Sequence, residues 1–71
     1  MRRNPRKVLG DEIRKKREEL GLTQEQLAER ADMHWTSISG IERGQHNLTI
    51  DNLILIAAAL KTKVRDLVND L

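Results

Sequence analysis

Asp32, His34 and Ser37 place a carboxylate, an imidazole and a hydroxyl in one short stretch, the groups from which a hydrolytic nucleophile is assembled. Such a site needs its base between the nucleophile and an orienting group, in one hydrogen-bonded line. In ADMHWTSISG these residues fall on a tight turn and a helix start, where side chains diverge, so the chain is expected not to be an enzyme. His34 and His46 lie far apart with no ligand set at helical spacing, and there is no cysteine, so no metal and no cofactor are expected. The side chains left with distinctive chemistry act by contact. Trp35, Thr36, Ser37, Ser39 and Gly40 share the outer side of a short helix. An ordinary exposed helical face carries Glu and Lys, whereas hydroxyls, one large aromatic and a glycine suit close approach to another polar surface. A mid-helix glycine costs about 1 kcal/mol relative to alanine, so Gly40 is expected to make room for a backbone or base edge.

The elements that position this face run from Thr23 to Gly44. Thr23 can cap a helix beginning at Gln24, with Gln26 reaching back to complete a capping box and Leu22 and Leu27 forming a hydrophobic staple. Leu27, Ala28 and Ala31 then make one apolar stripe, leaving Gln24, Glu25, Glu29 and Arg30 outside. Asp32 tolerates left-handed backbone, and Met33 is placed to plug the turn from below. In the second helix Ile38 and Ile41 face inward, and Gly44 supplies the C-terminal cap. Two short helices over 24–42, joined by a three- or four-residue turn, form a helix-turn-helix, a geometry that fits a helix into the DNA major groove.

The rest of the chain must bury this pair. With 71 residues there is one domain, near the lower end of what core burial alone sustains. The absence of cysteine fits a reducing compartment, no apolar run approaches a membrane span, and the basic N-terminus lacks an apolar signal core, so a cytoplasmic protein is expected. Trp35 is the lone aromatic, so the core must be aliphatic; with one proline and no strand-type alternation the class is all-α. Net charge is +2, but Arg2, Arg3, Arg6 and Lys7 lie in the first seven residues, leaving nine basic against eleven acidic residues in the remainder. Affinity for a polyanion must therefore come from local placement. Residues 1–7 read as a basic arm, either a solvated terminus or an arm reaching phosphates or a minor groove, ahead of a domain over 8–71.

Residues 8–20 place Leu9, Ile13, Lys16, Arg17 and Leu20 on one side of a first helix ended by Gly21. Arg17 on an apolar stripe must snorkel or be paired, and Glu42 is the candidate partner in a structural ion pair. Thr49 reads as the cap of TIDNLILIAAAL, with Ile50, Leu53, Ile56, Ala57 and Leu60 inward. Ile54, Leu55 and Ala58 spread apolar character beyond that face, and a homodimer contact, joined by Val68, is the natural cover. Thr62 can cap a last helix in which Val64, Leu67 and Leu71 form a stripe.

From about Leu9 to Leu67 the chain resembles the Cro/repressor-type helix-turn-helix proteins of phages and bacteria, through LGDEIRKKREELGLTQEQLAERA, ISGIERG and the LTIDNLILIAAAL helix. ISGIERG followed by NLTI also resembles, over a shorter span, the controller proteins of restriction–modification genes. The resemblance implies a compact five-helix, lambda-repressor-like domain that binds a palindromic double-stranded DNA operator as a homodimer and regulates transcription without a small-molecule ligand. It assigns Gln24 to a backbone phosphate at a helix N-terminus, Trp35, Thr36, Ser37, Ser39 and Gly40 to the recognition face, and Arg43, His46 and Asn47 to flanking phosphates or an extra base. It also pairs Arg17 with Glu42. Position 34 is most often Ser or Thr in the family and position 35 often a polar base reader, so His34 and Trp35 depart from its pattern. The alternative is a protein-binding adaptor or antitoxin-like module gripping its partner through the helix face or the Leu55 side.

Overall fold

The computed structural model describes residues 4–71, and five helices account for most of them: α1 Pro5–Glu19, α2 Gln24–Arg30, α3 Trp35–Glu42, α4 Ile50–Ala59 and α5 Val64–Leu67. No strand occurs among the described residues. Each helix contributes one fully buried large aliphatic side chain: Ile13, Leu27, Ile38, Ile56 and Leu67. These five meet in a single core, with Leu9, Met33, Leu48, Val64 and Val68 packed around it half-buried. An all-α architecture follows directly, because no helix here can bury its stripe except against the others.

The first helix begins earlier than the expected boundary at residue 8. Asn4 accepts from the Arg6 amide at 3.0 Å and Pro5 occupies the first turn, where its missing N–H costs nothing. Arg6 and Lys7 are therefore helical, and of the basic arm expected over 1–7, residues 1–3, with Arg2 and Arg3, lie outside the described residues. The helix ends at Gly21, whose φ of 71° supplies the left-handed turn, and Leu20, expected inside, is 43% exposed as the chain leaves the core there.

The capping box of α2 is complete: Thr23 Oγ1 accepts from the Gln26 amide and Gln26 Oε1 accepts from the Thr23 amide. Leu22 and Leu27 on either side of it are both buried. Residues 31–34 make the turn, with Asp32 at φ 55° and the Met33 amide donating to Ala28 O at 2.8 Å.

Thr49 caps α4 through the Asn52 amide. Leu53, Ile56, Ala57 and Leu60 are buried as expected, but Ile50 is 64% exposed and Ala59 takes an inner place instead. The reason is positional: Ile50 is the first residue of the helix and its side chain projects past the end of the core. Thr62 does not cap α5. Its amide donates to Ala57 O, closing the end of α4, and Lys63 stands at the cap of a four-residue helix with no side-chain cap bond. Beyond that single turn the stripe stops, and Leu71 is exposed.

Candidate nucleic-acid interface

The anchor of the helix pair is a buried ion pair. Arg17 on α1 donates from Nε to Glu42 Oε2 at 2.7 Å and from Nη2 to Oε1 at 3.0 Å, a two-pronged pairing in which the Glu42 side chain is 3% exposed. Arg17 Nη1 donates to the Leu22 carbonyl at 2.7 Å, so the guanidinium also fastens the α1–α2 connection. Hydrogen bonding to Glu42, working against burial, holds the Arg17 pKa above its ordinary value. Gln24 closes the network, donating from Nε2 to Glu42 Oε1 at 3.1 Å. One carboxylate at the end of α3 thereby fixes α1 and the first turn of α2 together.

Close approach of α1 to α3 needs Gly10. A Cβ there would stand 2.6 Å from the Glu42 carbonyl oxygen, so only glycine lets the helices cross at this distance. Gly44 does the same just past the end of α3, with φ 74° and its missing Cβ facing the Lys7 backbone. The first turn of α1, with exposed Arg6 and Lys7, therefore abuts the loop that follows α3.

Along α3 the expected outer face divides. Trp35 is 49% exposed, Thr36 is exposed and Ser37 half-buried, so these three lie at or near the surface at the start of the helix. His34, at the cap, makes no bond to the helix backbone; its Nδ1 pairs with Thr36 Oγ1 at 3.0 Å instead. Ser39 and Gly40, expected outside, are buried. Ser39 Oγ accepts from Arg43 Nη1 at 2.9 Å, and the place of a Gly40 side chain is filled by the His46 imidazole, 2.6 Å from where a Cβ would stand. The glycine makes room for the protein's own histidine. Arg43, His46 and Asn47, the three site residues expected beyond the helix, are all exposed, and Arg43 Nε donates to Gln45 Oε1 at 3.2 Å. No motif or periodicity singles out Gln45; the i, i+4 spacing of Ser39 and Arg43 is the one sign of this local bonding that the sequence carries.

On α4, Ile54 and Leu55 are 53% and 43% exposed, with Ala58 exposed one turn on and Ile50 at the start of the helix. Val68 is half-buried against the core. No helix among the described residues is long and apolar enough to cross a membrane.

A capped helix, a four-residue turn and a second helix locked from behind by an ion pair define a helix-turn-helix protein. The chain belongs to the helix-turn-helix family, whose pattern matches residues 13–67. It is similar to control protein C.BamHI of Bacillus amyloliquefaciens, 39% identical over 70 residues that span 97% of this chain and 86% of that one. Among solved structures it is similar to the restriction–modification controller protein C.AhdI of Aeromonas hydrophila, with a TM-score of 0.86 and 34% identity over 87% of this chain and 94% of that one. It is also similar to controller protein C.Esp1396I, solved as a tetramer with its natural 35 base-pair operator, with a TM-score of 0.80 and 40% identity over 87% and 82% of the two chains.

Proposed function

We propose that the protein is a sequence-specific DNA-binding regulator of transcription, of the restriction–modification controller type. The observation that supports this reading is the exposure of Trp35, Thr36, Arg43, His46 and Asn47, with Ser37 half-buried, on and just after a helix that the buried Glu42 network ties to α1 and α2. In this reading α3 enters the major groove and α2 crosses the backbone, with Gln24 at its N-terminus meeting a phosphate. The operator complex of C.Esp1396I supports it, as that relative presents a similar fold to DNA.

The protein acts as a homodimer on an inverted repeat, with half-sites about 10 bp apart so that both recognition helices reach one face of the duplex. The dimer is built on Ile54, Leu55 and Ala58, the exposed apolar residues of α4, with Val68 at the margin. Arg6 and Lys7, held beside the recognition loop by the close packing of Gly44 on Lys7, extend the phosphate-facing surface outward. Base reading is carried by few side chains. Thr36 is permissive, Trp35 offers apolar contact to a thymine methyl or packing on sugar, and Arg43 is the side chain able to recognise guanine.

Selection from a random duplex library, followed by a salt titration on the recovered sequence, tests the whole reading. The expected result is a palindrome bound with an affinity that falls steeply as salt rises. Salt-insensitive binding, or none, would overturn it.

A further inference from the structure

We infer that Gln45 and Ser39 are positioning residues, holding the Arg43 guanidinium in one orientation before DNA arrives; the inference rests on the DNA reading above. Arg43 lies just past the end of α3, on a surface where a long side chain would ordinarily sample many rotamers. Two acceptors restrain it from different sides. Ser39 Oγ, one turn back and buried, takes Nη1 at 2.9 Å, and Gln45 Oε1, two residues on, takes Nε at 3.2 Å. Both acceptors are themselves placed by backbone. Ser39 sits within α3, and the Gln45 amide donates to the Gly40 carbonyl at 2.9 Å, turning the chain back over the helix end.

The two restraints decide which edge of the guanidinium is offered. Arginine has five N–H groups, and two are engaged here, leaving three on the Nη nitrogens. The Nε edge, with which Arg17 grips Glu42, is occupied in Arg43 by Gln45. Arg43 therefore presents only its outer Nη groups, end-on, to a guanine O6/N7 pair or a phosphate. Ser39 and Gln45 contribute affinity through Arg43 without contacting the duplex. Immobilising a rotamer-rich side chain in advance is worth about two- to tenfold in affinity per half-site.

Gln45→Met keeps the length of the side chain and removes the acceptor; Ser39→Ala removes the other. The first measurement is NMR relaxation of the Arg43 Nε–H in the free protein, which should be rigid in the native chain and mobile in either variant. The second is a cycle of duplex affinities on the selected operator, using Gln45→Met, Arg43→Ala and the pair. Gln45→Met should weaken binding about two- to tenfold per half-site in the native background and cause no further loss beside Arg43→Ala. An Arg43 Nε–H equally mobile in the native chain and in Gln45→Met overturns the inference, as does an equal loss in both backgrounds, which would mean that Gln45 touches DNA itself. A native chain that binds no duplex while its Arg43 is still held rigid overturns the DNA reading and leaves the positioning intact.

Discussion

Replacing Glu42 with alanine removes the acceptor on which three donors converge: Arg17 Nε, Arg17 Nη2 and Gln24 Nε2. What remains is a guanidinium, 10% exposed, whose one surviving partner is the Leu22 carbonyl. Breaking a buried pair by deleting one partner costs about 3–5 kcal/mol. The lower figure applies here, because the end of α1 lies close enough to solvent for water to reach part of Arg17. For a chain of this length total stability is on the order of 4–10 kcal/mol, so about 3 kcal/mol is a third or more of it. In a domain this small each kcal/mol moves the melting temperature by about 4–8 °C, giving an expected fall of roughly 12–24 °C. Far-UV circular dichroism during heating, with urea unfolding as a cross-check, measures it. The double change Arg17→Met with Glu42→Leu should recover part of the loss, since an apolar pair of similar volume needs no desolvation, while the Leu22 carbonyl still lacks its donor. Alkaline titration offers no simple substitute for mutation. The Arg17 pKa is raised by Glu42, so its contribution is complete at neutral pH and fades only as pH climbs through that raised value, beyond the usual arginine range. A Glu42→Ala protein melting with the native chain would refute the argument.

Other perturbations separate interface from scaffold. Leu55→Glu should yield monomers in sedimentation with helical content unchanged, since Leu55 is exposed on the single chain; persistent dimers would place the interface elsewhere. Gly10→Ala and Gly40→Ala should part company in thermal melts. The first drives a methyl against the rigid Glu42 carbonyl and should cost about 1–3 kcal/mol. In the second the nearest atoms all belong to the exposed His46 ring, which can swing away, so the gain of about 1 kcal/mol in helix propensity should be largely kept. Arg6→Ala with Lys7→Ala should lower the salt slope of operator binding by about 0.9 for each phosphate no longer neutralised, without reducing the melting temperature. Cations in the first turn of a helix oppose its dipole, and relief of that repulsion offsets the loss of the exposed Lys7–Asp11 pair, which is worth only a few tenths of a kcal/mol.

The features legible in the sequence are those that depend on local rules. The Thr23 and Thr49 caps, the left-handed Asp32 and the inward Ile38 and Ile41 follow from side-chain chemistry and helical period, and they stand in the structure as expected. Arg17 announces itself because a cation on an apolar stripe demands a partner, and Glu42 is the carboxylate at a helix end that meets the demand. Periodicity is blind to helix ends and to loops. Ile50 and Leu20 sit on the correct faces but past the limits of the core, and a wheel projection carries no information about where a neighbour stops. Thr62 has the side chain of a helix cap, yet its amide finishes the previous helix; a threonine one residue before Lys63 has no sequence mark to separate the two roles.

The burial of Ser39 and Gly40 has a different cause and changes how recognition is organised. In sequence both read as outward-facing, because they fall off the inward stripe of Ile38 and Ile41. In the structure residues 45–47 fold back over that side: the Gln45 and His46 amides both donate to the Gly40 carbonyl, and the imidazole fills the space over Gly40. A hydroxyl with the chemistry of a base reader becomes an acceptor for Arg43, and a glycine with the shape of clearance for a ligand becomes clearance for His46. Trp35, Thr36 and Ser37 therefore form one end of the candidate surface and Arg43, His46 and Asn47 the other, with buried residues between them. If this is the DNA-facing surface, as proposed above, few side chains are free to read base edges, and discrimination would lean on the direction in which Ser39 and Gln45 hold Arg43 and on how readily the DNA between the two ends takes the required shape.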